Sequence, residues 1–200
     1  MTRVRADDYD DKKQIILGKA AALIARKGFD MATMMDVAKA CGTSKSHLYH
    51  YFASKEELLY AIVHEHITRQ ATDLARIVAQ PLPAEERFTQ FVDSFVQGAA
   101  RSRNEHLMLM NDLKFLPTGQ REHIRKLEIE MTELMEQLLR EINPKLMTEE
   151  RVQKPYALLL FGMMIWTFSW YRRSGEITPR ELAQRISELF VHGFKGAAAP

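Results

Sequence analysis

Lys45, Ser46 and His47 follow one another directly after Ser44, and this short polar run is where the chain is equipped to do chemistry. A cation, a hydroxyl and an imidazole on the first turn of a helix can hydrogen-bond to the edges of base pairs in a major groove, provided that the helix is presented to duplex DNA. Ser44 is the right residue type to cap such a helix through its side-chain oxygen. Three residues earlier, Cys41-Gly42 can end a preceding helix, because glycine accepts the left-handed conformation that a tight turn requires. Thr33 to Phe52 therefore reads as two short helices joined by a turn, the layout of a helix-turn-helix. Ala38 is small enough for the helices to cross closely, and Val37 and Leu48 supply apolar surface between them.

The elements that position this run are helical throughout. Prolines at 81, 83, 117, 144, 155, 179 and 200 separate long stretches with helical spacing and almost no strand-like alternation. Ile16, Ala20, Leu23 and Ile24 mark the buried face of a first helix over about 10–27, which stops at Gly28. Thr33-x-x-Asp36, Ser54-x-x-Glu57 and Thr178-Pro179-x-Glu181 have the spacing of capping boxes, and the last also carries proline at the first helical position. Further helices are expected near 45–51, 55–79, 84–103, 105–115, 119–142, 149–173 and from 179. The fold class is all-α, with about nine helices in an N-terminal three-helix domain, 1–55, and a larger helical domain, 56–200.

Composition narrows the function classes. The chain has 200 residues, of which 46% are hydrophobic and 27% charged, enough for a substantial core. Its one cysteine, Cys41, cannot form an intramolecular disulfide or supply a cysteine-based zinc site, and a reducing cytoplasm is the simplest home. The first thirteen residues carry four Asp and four Lys or Arg and no apolar run, so no secretory signal is expected. Net charge is +2, distributed as +4 over residues 1–55 and −2 over the rest, as for a small anion-binding module on a near-neutral body. The 17 uncharged residues from Pro155 to Tyr171 are at the short edge of a membrane span, but Tyr156, Thr167, Ser169 and Tyr171 favour a buried helix. There is no His-Glu-x-x-His, Gly-rich phosphate loop or Gly-x-Ser-x-Gly, so no catalytic residues, cofactor or metal are assigned. His64 and His66 lie two apart on a helix and point away from each other, a poor metal pair.

Ala38 to Gly42, then Leu48-Tyr49-His50-Tyr51-Phe52, then Ser54-Lys55-Glu56-Glu57-Leu58 together resemble the signature of the TetR/AcrR family of bacterial regulators, over roughly residues 10–60. Thr43 stands where that signature usually has Val, and Ser46 where Gly is common. By position, the resemblance gives Thr33, Tyr49, Tyr51 and Lys55 the role of phosphate clamps. It gives Lys45, Ser46, His47 and His50 the role of base contacts, with Ser44 at their head. Arg3 and Arg5 could reach the minor groove as an arm, although a solvated tail is the simpler reading.

A single module makes few base contacts, so the body is expected to pair two of them on an operator. Tyr156 to Tyr171 is apolar on nearly all sides, and Leu182, Ile186, Leu189, Phe190 and Phe194 form a stripe on the last helix. The family pairs its last two long helices as a four-helix bundle, which assigns Tyr156, Leu160, Leu182, Ile186, Leu189, Phe190 and Phe194 to a homodimer interface. Soft and aromatic residues could line an effector cavity, among them Phe91, Phe95, Met108, Phe115, Met163 and Trp166, with Asn111, Asp112, Arg121 and His123 as polar contacts. The run from Asn111 to Pro117, followed by Gln120-Arg121, resembles regulators that answer to acyl- or aromatic-CoA thioesters. The expected protein is a cytoplasmic, homodimeric repressor released from a pseudo-palindromic operator by a hydrophobic effector. A multidrug-type sensor of the same family and a membrane-associated helical scaffold are the alternatives.

Overall fold

The computed structural model describes residues 2–172 and 174–197, with side chains from Tyr9 onward, so the side chains of Arg3 and Arg5 lie outside the described residues. Nine α-helices and no strands occur among the described residues: α1 (Thr2–Lys27), α2 (Met34–Cys41), α3 (Lys45–Tyr49), α4 (Lys55–Val78), α5 (Ala84–Arg101), α6 (Arg103–Asn111), α7 (Thr118–Ile142), α8 (Glu150–Trp170) and α9 (Pro179–Gly196). Single 3-10 turns follow α6 at Leu113–Phe115 and α7 at Leu146–Thr148. The expected helix over 105–115 is thus shorter and starts earlier, and the first helix begins eight residues before its expected start at about residue 10.

Two compact units emerge, 1–66 with 104–124, and 67–103 with 125–200. The expected division at 55/56 therefore differs from the contact pattern. Both α4 and α7 run from one unit into the other, and α6 belongs with the N-terminal helices.

In the first unit, Ile16, Leu17, Ala20, Ala21 and Ile24 of α1 pack with Val37, Ala38, Leu48, Phe52, Leu58 and Ile62, all buried. Gly28 ends α1 at φ +85°, donating its N–H to Ile24 O at 2.8 Å. The next residue, Phe29, stacks on Phe115 with ring centroids 4.6 Å apart. Inside the same unit, His66 of α4 and His106 of α6 are hydrogen-bonded, Nε2 to Nδ1 at 3.2 Å, and both rings are buried. His64 turns the other way, toward His123 of α7.

Burial pushes the His106 imidazole down from 6.5 to about 4, because a charged ring there would lose its hydration. The neutral ring is the folded form, so the unfolded chain takes up a proton first as pH falls. The contribution to stability is whole above the unfolded value and is lost as pH drops through it toward the folded one. Denaturant titrations should show about 2 kcal/mol less stability at about pH 5 than at about pH 7, and a His106→Leu variant should lose most of that slope. A wild-type slope unchanged by the substitution would assign the acid sensitivity to other groups.

In the second unit, α5 lies antiparallel to α9. Lys195 pairs with Glu85 at 2.7 Å at one end, and Phe88 stacks on Phe190 at 5.6 Å further along. Phe190 continues onto Phe194 at 5.5 Å, which meets Tyr156 of α8 edge-on at 5.0 Å. Phe91 and Phe95 of α5 close against Phe161 of α8. Arg87 is buried within this packing. It donates to Val78 O at 2.7 Å and Leu82 O at 2.9 Å and pairs with Glu141 of α7, which fixes the α4–α5 turn onto the body. Thr178 caps α9 by accepting from the Glu181 N–H at 3.1 Å, with Pro179 in the first turn as its sequence predicts. No described helix is long and apolar enough to cross a membrane.

Candidate nucleic-acid interface

The interface is assembled by three local devices. Thr33 caps α2 in a reciprocal box: its Oγ1 accepts from Asp36 N at 3.1 Å, and Asp36 Oδ2 accepts from Thr33 N at 3.0 Å. Lys27 adds an ion pair to the same oxygen at 2.6 Å. The Lys27 ammonium and the Thr33 hydroxyl hold the Asp36 carboxyl down to about 2, so this cap stays ionised across ordinary conditions. Gly42 then terminates α2 at φ +68°, with Gly42 N donating to Lys39 O and Thr43 N to Ala38 O at 3.1 and 3.0 Å. Finally, Ser44 Oγ accepts from His47 N at 3.1 Å and starts α3.

These devices leave Lys45, Ser46, His47, Tyr49 and His50 exposed on one side of α3, while Leu48 and Phe52 anchor the other side in the core. Lys45 Nζ lies 5.7 Å from the Tyr49 ring, and His47 meets Tyr51 edge-on at 5.3 Å. Tyr51, half-buried, also stacks on Tyr9 of α1 at 4.7 Å, so α1 braces the recognition segment directly. Cys41 is half-buried beside this surface, and burial pushes its thiol up.

Two of the clamp residues read from the resemblance are otherwise engaged. The Lys55 ammonium donates to Phe29 O at 2.7 Å and Ala32 O at 3.0 Å and lies 4.3 Å from the Phe29 ring centroid. It ties the start of α4 to the α1–α2 turn through two of its three N–H donors. The Thr33 hydroxyl is likewise spent on Asp36, to which it donates at 2.8 Å.

The residues read as an effector lining fall in both units. Phe91 and Phe95 are sealed in the α5 core, and Met108 is buried in α6. Asn111 is exposed and bonded to Leu107 O at 2.9 Å, while Phe115 is taken up by Phe29. Asp112 is half-buried and its carboxyl is raised by burial. Arg121 approaches Thr118 Oγ1 at 3.5 Å, and His123 Nδ1 is hydrogen-bonded to the Tyr60 hydroxyl at 2.6 Å. Met163 and Trp166 face outward on α8.

The residues read as a dimer interface divide similarly. Leu160 and Phe194 are buried within the second unit, Tyr156 is half-buried against Phe194, and Phe190 stacks between Phe88 and Phe194. Leu189 alone of the seven is largely exposed, at 71%, and it stands on the same outer face as Leu158, Leu159, Met163, Trp166 and Trp170. Leu182 and Ile186 border that face from within. Phe190 of the stripe is thus taken up by α5 of the same chain, while Leu189 stands clear of it. Among the described residues no group of three or more His, Cys, Asp or Glu gathers to hold a metal ion.

Residues 16–62 match the family model for bacterial regulatory proteins of the tetR family, and residues 81–194 match that for the tetracyclin repressor-like C-terminal domain. The chain belongs to the TetR family. A TetR-family transcriptional regulator from Bordetella parapertussis 12822 has the same fold, with a TM-score of 0.84 and 31% identity over 94% of this chain and 98% of that one. The HTH-type transcriptional repressor KstR2 of Rhodococcus jostii (strain RHA1) is 24% identical across 96% of this chain and 97% of its own length. A structure of AibR in complex with isovaleryl coenzyme A and operator DNA superposes with a TM-score of 0.77 at 21% identity, over 89% of this chain and 97% of that one. This TetR-family regulator is therefore a helix-turn-helix transcription factor whose reading segment is built on α2 and α3.

Proposed function

We propose that this TetR-family regulator represses transcription as a homodimer on a pseudo-palindromic operator, and that a hydrophobic small molecule releases it. The observation that carries the reading is the exposed Lys45-Ser46-His47 turn, capped by Ser44 and anchored by buried Leu48. Those three side chains would read base edges. Tyr49, His50 and Tyr51 would bind phosphates or flanking bases. Residues 1–55 supply the reading head, and 56–200 supply pairing and effector binding. The protein acts by binding, without catalysis, in the cytoplasm.

Pairing is supported by the outer face of α8 and α9. Trp166 is 70% exposed and Leu189 71%, alongside Leu158, Leu159 and Trp170. So many large apolar side chains on one face are costly in water and suit a second copy of the same surface across a two-fold axis. An acyl- or aromatic-CoA effector is favoured by the likeness of fold to AibR, whose complex holds isovaleryl coenzyme A.

Selection from random DNA should recover two inverted half-sites. With such an operator, His47→Ala should relax preference at particular base pairs by about 1–3 kcal/mol. Lys55→Ala should behave differently. Its loss should weaken binding by loosening the reading head, leaving the slope of log affinity against log salt unchanged, whereas removal of a true phosphate contact lowers that slope by about one. Recovery of no inverted repeat from the selection would reject the operator reading.

A further inference from the structure

A cavity of about 350 Å³ lies within the second unit, between the end of α5, the end of α8 and the start of α9. Val96, Ala100, Phe168 and Leu182 give it apolar walls, and among the described lining residues the charged ones are Arg103 and Arg172, with no carboxylate. Arg103 Nε and Nη2 both donate to Phe168 O, at 3.3 and 3.2 Å. That bond orients the guanidinium plane and satisfies a carbonyl at the end of α8 that would otherwise repel an anion. None of the residues singled out from the sequence as effector contacts lines this space.

We propose that this cavity binds an amphipathic anion, with an acyl chain or aromatic ring between the apolar walls and its anionic head on Arg103 and Arg172. A guanidinium beside an apolar wall pairs strongly with carboxylate or phosphate, because it offers several donors in a fixed plane and is weakly hydrated. The volume is at the low end of the roughly 300–1,000 Å³ typical of ligand sites, enough for the acyl part but not for a nucleotide as well. A free carboxylic acid and a CoA thioester with its phosphates outside share this chemistry. The proposal deepens the effector reading above and rests on it for its regulatory meaning.

Calorimetric titration of the full chain without DNA, using octanoate, octanoyl-CoA and octan-1-ol, tests it. At least one of the two anions should bind, about tenfold or more tighter than the alcohol, and Arg103→Gln and Arg172→Gln should each cost the anion about tenfold while leaving the alcohol unchanged. Binding of octanoate alone supports the proposal with a free acid as ligand, and tighter binding of octanoyl-CoA supports it with a thioester. An alcohol that binds as well as the anions, anion binding indifferent to both substitutions, or binding retained by a cavity-filling Ala100→Trp variant would overturn it. Operator affinity measured with the same ligands keeps the two readings separate. Tight binding that leaves operator affinity unchanged removes the effector role while the site stands; operator release that survives both arginine substitutions removes the site while the effector role stands.

Discussion

Trp166→Asp and Leu189→Asp are each expected to yield monomers that keep a folded helix-turn-helix and lose operator affinity by two or more orders of magnitude. A carboxylate in a desolvated interface has no partner, and each copy would bring one to the two-fold axis. A lone reading head then makes half the contacts. Both positions are solvent-exposed within the single chain, so the folded protomer has no reason to suffer. Phe190→Asp provides the contrast. That side chain is only 8% exposed and stacks on Phe88 and Phe194, so its replacement should unfold the second unit instead of separating intact protomers. Light scattering with circular dichroism distinguishes the outcomes. Dimers persisting in both Trp166→Asp and Leu189→Asp would move the interface off this face.

Arg87→Ala is expected to be the most destabilising single change among the polar residues, at about 3 kcal/mol. It would strip the acceptors Val78 O and Leu82 O of their donor and leave Glu141 without its cation. For a chain of this length the loss corresponds to roughly 10 °C in Tm. Glu141→Gln should cost much less, since that carboxylate is partly in water and the two backbone bonds of Arg87 survive. Equal effects of the two substitutions in thermal melts would mean that the ion pair, not the carbonyl contacts, carries the stabilisation.

The elements that sequence reading located well are those defined by local chemistry. The capping residues Thr33, Ser44 and Thr178 act on N–H groups three residues away, so the starts of α2, α3 and α9 are written in adjacent positions. The exposed turn at Lys45 follows from the same cap. What could not be read was set by distant partners. Lys55 finds its carbonyl acceptors 26 and 23 residues away, so its type and position suggested a phosphate ligand equally well. The stripe Leu182, Ile186, Phe190 and Phe194 announces a buried face without saying whether α5 or a second chain covers it. On α8, apolar on most sides, periodicity gives no direction at all, and only packing separates inward Leu160 from outward Trp166. Arg103 and Arg172 lie 69 positions apart in the chain and meet at one cavity through tertiary structure alone.

Cys41 offers an experimental consequence. It is the one cysteine in 200 residues, and it sits half-buried in α2 with its thiol raised by burial. Partial cover and a raised thiol slow reaction with alkylating reagents, and local opening speeds it. Its labelling rate therefore reports local opening around α2, compared against the rate of the unfolded chain. Timed with and without operator DNA or a candidate ligand, that single sulfur would show whether either one tightens or loosens the segment around α2.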